Sequence, residues 1–416
     1  MKSHHLLSAA VVSAVAQTVP TVHIPLNLYF GANHKVSTNV YNPSTNTTIE
    51  VVYDQGSENF FLFGPDSIDN WGSSGLGGQG PCNVSVPAGW YFDYPASDTA
   101  TAPVNHSAFY AYGGLDKIYT GSVTVNDTFG FSNVAGADTA AVDDVRVQIV
   151  DFLVQRINDP TCSGTPLYDL GILGVSPYYN NASSRVTAGP HVRQDLLERG
   201  VIGAAVQSMW FDEAPEDVYG TYTGGGLFGG IDTSKYAGDL VAVETLQPAG
   251  SVGYFTAVPV VTINNVTYTQ PDSAEYCQLD SGTHDDTIPV AYQEDDLFYN
   301  TSGIVISPRG YTAWPGECDT IPANATVGLT FPGAAEGTSV TIDVPIKSYV
   351  RVDYSQYDPG YCILSVSTSG CLLGAPFATA SFFAADDEAG VIALAKGGVS
   401  KPGEGVDESA VVARIP

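Results

Sequence analysis

Short apolar runs broken by Gly, Pro and polar residues fill this chain, and no long stretch sustains a helical period. The apolar runs are rich in Val, Tyr and Phe, which suits strands joined by turns. Two local patterns recur. In the first, a strand runs into Asp-x-Gly-Ser/Thr, as Val51-Val52-Tyr53-Asp54-Gln55-Gly56-Ser57 and again as Gln278-Leu279-Asp280-Ser281-Gly282-Thr283. In the second, an apolar pair precedes Gly, as Gly171-Ile172-Leu173-Gly174 and as Cys371-Leu372-Leu373-Gly374. The order one, two, one, two predicts a duplicated lobe.

Residues 118–125 alternate as a strand that returns after Tyr112-Gly113-Gly114, so a hairpin is expected there. One helix is expected at 194–199, after Pro190 and before Gly200. The acidic, then Gly-rich stretch 212–226 reads as the lobe boundary, and 227–232 as a strand and turn. The predicted division is a signal peptide over 1–16, an N-terminal lobe over 17–218, a C-terminal lobe over 219–397 and a flexible tail over 398–416.

Composition narrows the class. The 416 residues carry 44 acidic and 15 basic side chains, a formal charge of −29, which repels nucleic acid and anionic membranes and suits acidic surroundings. The polar start Lys2, His4 and His5, the apolar run from Leu6 to Ala16 and the small residues Ala14-Val15-Ala16 read as a secretory signal. Asn46, Asn83, Asn105, Asn126, Asn181, Asn265, Asn300 and Asn324 each begin an Asn-x-Ser/Thr acceptor, in keeping with secretion. Six cysteines, an even number without Cys-x-x-Cys, fit an oxidising compartment rather than a zinc ribbon. Gly75, Gly77 and Gly80 match a dinucleotide fingerprint, but Pro81 and Cys82 follow instead of a helix, so a plain Gly-rich loop is expected. Gly-x-Ser-x-Gly and His-Glu-x-x-His do not occur.

Two carboxyls sharing one proton can hydrolyse a peptide bond without a metal or a nucleophilic side chain. The chemistry needs one Asp from each lobe, held on tight turns. Gly56 and Gly282 permit such turns, and Ser57 and Thr283 can hydrogen-bond the carboxylates.

From about residue 22 to 396 the sequence resembles the pepsin-like aspartic proteases. Residues 54–59 and 280–283 match the two active-site motifs, and 169–174 and 227–232 resemble two further family segments. The resemblance implies an all-β, two-lobed fold and a secreted acid endopeptidase with Asp54 and Asp280 as catalytic pair. It implies no cofactor or metal, a polypeptide substrate, no nucleic-acid partner, no membrane anchor and a monomer. It places Tyr112 and Gly113 on a flap over the cleft, with Phe60 and Phe61 lining a hydrophobic cleft. The expected disulfides are Cys82 with Cys162, Cys277 with Cys371, and Cys318 with Cys362, the last resembling the family's C-terminal-lobe bridge.

The sequence also departs from the family pattern. Gln55 replaces a Thr that, with its counterpart near Ser281, braces the dyad across the lobes. His284-Asp285-Asp286 follows the second motif where small or apolar residues are usual, and these three are expected to face solvent. Phe61 stands for Trp, and Ala375 for Asp. Cleavage after Ala16 would leave little chain before Asp54 for the family's basic propeptide. These departures suggest a second reading, a catalytically impaired relative whose cleft binds peptides or another protein.

Overall fold

In the computed structural model the chain is all-β and two-lobed. The structure describes residues 19–28, 35–163, 170–177, 189–351 and 358–416. The expected signal peptide, Asn181 and Asp169 lie outside the described residues.

The largest sheet has 14 strands and draws on both ends of the chain. Its middle contains Ser381–Asp386, Val206–Phe211, Tyr222–Phe228 and Val22–Leu28 in adjacent positions. Val206–Phe211 and Val22–Leu28 are largely buried, and both flank Tyr222–Phe228. The Gly-rich half of the expected boundary is therefore a central strand, while residues 212–221 are the connection before it. Its glycines are required by packing. A Cβ on Gly224 would lie 2.1 Å from the Trp210 carbonyl oxygen, and one on Gly225 would strike the Trp210 ring. The expected helix starts two residues and ends one residue earlier, as Val192–Glu198, because His191 Nδ1 accepts from Gln194 N–H and caps it.

The recurring sequence patterns fold alike. Gly171–Gly174 runs parallel to Thr47–Asp54, with Asp54 opposite Gly174, and antiparallel to Phe60–Trp71. Leu372–Leu373 runs parallel to Cys277–Leu279, and antiparallel to Asp286–Ile288. Each apolar pair thus threads between the arms of one Asp turn. The closing glycines allow close passage: a Cβ on Gly174 would lie 2.5 Å from Asn59 N, and one on Gly374 2.4 Å from the Thr283 carbonyl oxygen.

All three expected disulfides are formed, Cys82–Cys162, Cys277–Cys371 and Cys318–Cys362. Residues 398–416, expected as a loose tail, are docked. Val411–Val412 pairs with Ile231–Asp232, and Val406, Val411, Val412 and Ile415 pack on the cluster around Trp210 and Phe382. Arg414 also forks onto Asp386 and reaches Glu388. The tail's scattered apolar residues have no period of their own, so only the groove that receives them makes them legible. Among the described residues no helix is long and apolar enough to cross a membrane.

Candidate active site

The strand Thr47–Asp54 is buried along its last four residues and delivers Asp54 to a turn. Gly56 N–H donates to Asp54 Oδ1 at 2.8 Å, and Ser57 Oγ donates to Oδ2 over a short distance. Cys277–Leu279 delivers Asp280 in the same way. There Gly282 N–H donates to Oδ1 at 3.0 Å and Thr283 Oγ1 to Oδ2 at 2.9 Å. The two turns face each other closely. A Cβ on Gly56 would fall 2.8 Å from Asp280 Cγ, and one on Gly282 2.5 Å from Asp54 Cγ. Each glycine is thus the surface against which the opposite carboxyl rests.

The Asp54 and Asp280 carboxyls sit against each other's turns, close enough that Asp280 raises the hold of Asp54 on a proton. Two carboxylates at that separation cannot both ionise cheaply, so one proton is retained between them. Asp54 is only 5% exposed. Loss of water around it raises its proton affinity most, and the charge of Asp280 raises it further. The bonds from Ser57 and Gly56 pull the other way without prevailing. Asp280 is half-buried, which leaves the pair open to solvent on one side.

Ser281 braces the pair across the lobes. Its Oγ donates to the Tyr53 carbonyl at 2.6 Å and accepts from Gln55 N–H at 3.1 Å. Nothing comparable comes back from Gln55. Its side chain is buried, and Nε2 has no hydrogen-bond partner among the described residues. The brace is therefore one-sided.

Tyr112 and Gly113 sit at the end of a hairpin, Val104–Tyr112 with Lys117–Ser132. Tyr112 packs edge-on against Tyr119 at 5.6 Å and tilts over Phe61 at 6.4 Å. Phe60 and Phe61, expected in the cleft wall, are fully buried instead. Phe60 joins the main core, and Phe61 stacks on Tyr110. The alternation of a strand places one of two neighbours inward, but both faces of this strand are covered. The hairpin tip is braced from outside: Gly77 N–H donates to the Leu115 carbonyl at 3.0 Å, and Arg156 pairs with Asp116 at 2.9 Å. This is where the Gly-rich loop of the fingerprint lies.

The trio after the second motif is not uniformly solvent-facing. Asp286 is fully buried, with Oδ1 accepting from Gly374 N–H at 2.6 Å. Burial pushes its carboxyl up to about 7, against the bonds from Gly374 and Phe377. It lies at the start of helix Ala375–Ala380, whose first N–H groups favour an acceptor. Asp285 is part-exposed between His284 Nε2 at 3.1 Å and Arg351 Nη1 at 3.5 Å. Its carboxyl lies below the usual range, since these bonds and charges outweigh a burial that acts first and largest in the other direction. No group of metal-binding side chains occurs among the described residues.

Of the Asn acceptors, Asn46, Asn83, Asn105, Asn265, Asn300 and Asn324 are exposed. Asn126 is half-buried and donates to Asp144. Sequence reasoning missed a buried polar cluster of Arg193, Gln207, Tyr254 and Asp387. These residues are far apart in the chain and follow no motif, so no local signal could have gathered them.

Residues 38–397 match the family described as eukaryotic aspartyl protease. Pepsin B of Canis lupus familiaris is 25% identical over 272 residues, covering 64% of this chain and 60% of that protein. Secreted aspartic protease 9 of Candida albicans is 25% identical over 282 residues, covering 64% and 46%. Secreted aspartic protease 5 of Candida albicans (strain SC5314 / ATCC MYA-2876) is 24% identical over 316 residues, covering 75% and 63%. The chain thus spans about half to two thirds of the length of these relatives.

Proposed function

The chain belongs to the eukaryotic aspartyl protease family, and on that premise we propose that it is a secreted acid endopeptidase that cuts polypeptides through Asp54 and Asp280. The reading rests on one observation above others: two matching carboxylate cradles that face each other, each glycine resting on the opposite carboxyl. The ionised member of the pair takes a proton from water as the water oxygen attacks the peptide carbonyl carbon. The protonated member gives its proton to the carbonyl oxygen. The resulting diol then collapses, the C–N bond breaks, and the leaving nitrogen takes a proton from the pair. Only the singly protonated pair can do both tasks, so activity should fall at both pH extremes. Tyr112 and Gly113 form the flap that closes over substrate and excludes water.

Secretion is supported by the apolar run before Ala16, the exposed Asn acceptors, three disulfides and the printed names of the Candida relatives. Gln55 favours a second reading, a peptide-binding cleft without catalysis, because its buried amide leaves the brace one-sided. One experiment separates the two. Cleavage of a denatured protein is followed from roughly pH 2 to 7, where carboxyls change charge, with Asp54→Asn and Asp280→Asn beside the wild type. Acid-dependent cleavage lost in both variants supports the endopeptidase. Folded protein that cuts nothing at any pH supports the binding module.

A further inference from the structure

Beneath the dyad lies a buried ion pair that the hydrolytic steps leave unused. Arg193 Nη2 is 2.8 Å from Asp387 Oδ2, and the side chains are 1% and 2% exposed. Arg193 sits on helix Val192–Glu198, and Asp387 follows strand Ser381–Asp386. The pair therefore joins the two halves of the sequence. Stability alone is a weak reason for it, since the cost of drying two charges commonly cancels their attraction.

The remaining bonds of the pair converge on one segment. Arg193 Nη1 donates to the carbonyls of Val175 at 3.2 Å and Ser176 at 3.0 Å, and to the Tyr254 hydroxyl at 2.9 Å. Gln207 Nε2 donates to the Val175 carbonyl at 2.8 Å and to the Tyr254 hydroxyl at 2.5 Å. The Tyr254 hydroxyl in turn donates to Asp387 Oδ1 at 3.1 Å. The segment held in this way is latched to the first Asp turn. Val175 N–H donates to the Asp54 carbonyl at 2.8 Å, Ser176 N–H to the Ser57 carbonyl at 2.9 Å, and Gly174 N–H to the Asn59 carbonyl at 3.0 Å. A second line runs from Gln207 Oε1 to the hydroxyl of Tyr53, the residue before Asp54, at 3.2 Å. On the other side Tyr254 pairs across strands with Leu279, the residue before Asp280.

We propose that Arg193 and Asp387 are positioning residues for the dyad, fixing the segment under the Asp54 turn relative to the strand that carries Asp280. The proposal rests on the Asp54/Asp280 endopeptidase reading. Guanidinium suits the task because its rigid fork can serve two carbonyls, a hydroxyl and a carboxylate at once, which a single ammonium does poorly. Carboxyls that must exchange protons tolerate little displacement, and a shift of about 1 Å can cost about a hundredfold in rate.

The test uses Arg193→Met/Asp387→Leu, which removes both charges together, a change that folds often tolerate. Folding is checked by thermal unfolding. The expected result is a kcat for peptide cleavage reduced about tenfold or more, with KM held within about twofold. In protein carrying carbon-13 at its Asp carboxyls, the separation between the two titrations of the dyad should also shrink. Arg193→Lys should fall between this variant and wild type in both readouts. If the double variant fails to fold, Tyr254→Phe cuts the tie to the Asp280 strand with little change of shape, and the same readouts apply. Unchanged kcat and unchanged dyad titration in a folded variant overturn the proposal. A wild type that cuts nothing sinks the endopeptidase reading instead, and the carboxyl titration still decides the positioning role.

Discussion

The Asp54 turn and the Asp280 turn are built from the same parts, yet they are not equivalent. Each Asp accepts from the second-following Gly and from a hydroxyl three residues on. Asp54 is buried and Asp280 half-buried. Ser281 reaches across with two hydrogen bonds, and Gln55 returns none from its amide nitrogen. Like sequence thus fixes how each carboxyl is cradled, whereas the surroundings fix how much water each one keeps. The lesson concerns proton affinity, which follows burial and neighbouring charge more than motif.

The strongest way to break this comparison is to neutralise each side in turn. Asp54→Asn and Asp280→Asn are each expected to lower kcat by about 10²–10⁴-fold, the usual worth of a positioned acid or base. The stability of the Asp54→Asn protein separates it from wild type. The folded-state proton affinity of Asp54 is raised above its ordinary 3.8. Folding therefore favours its protonated form, so its contribution is full below pH 3.8 and is lost as pH rises toward the folded value. Asp54→Asn should raise the melting temperature at pH 7 and change it little at pH 3. An equal effect at both pH values would refute the burial argument.

The brace is next in size. Ser281→Ala leaves Gln55 N–H and the Tyr53 carbonyl without their hydroxyl partner, at a cost of about 1–3 kcal/mol in denaturant unfolding. A loss below about 0.5 kcal/mol would show that the lobes are held together elsewhere. Asp286 offers a control outside the dyad. Its carboxyl is pushed up to about 7 from 3.8, so it too contributes most at low pH and loses that contribution between about 4 and 7. Asp286→Asn keeps an oxygen for Gly374 N–H and should flatten the decline in melting temperature over that range. The smallest effect is expected from Gln55→Thr, which removes a buried amide without a partner and should stabilise by about 1 kcal/mol. Destabilisation would mean that the amide's packing outweighs its unpaired nitrogen.

Much of the architecture is legible in the sequence alone. The two Asp-x-Gly motifs and the two apolar-apolar-Gly segments sit in short windows, and their roles follow from local turn geometry and close backbone passage. Spacing leaves the cysteine pairing open among several connectivities, and family resemblance supports only Cys318 with Cys362. Other features misled. The glycines at 224–226 read as a linker, but they are small because Trp210 and Tyr53 press on a central strand. Asp286 looked like a surface charge, and helix Ala375–Ala380 makes it a buried acceptor.

What the sequence by itself determined is the pair of carboxyls, the turns that hold them and the all-β, two-lobed class, because these depend on residues adjacent in the chain. Tertiary structure alone decided which carboxyl is dry, that the Gln55 amide nitrogen lacks a partner among the described residues, that the tail is docked, and that Arg193 meets Asp387. Those features depend on exclusion of water and on contacts between residues about two hundred positions apart, and neither quantity is written in any local window.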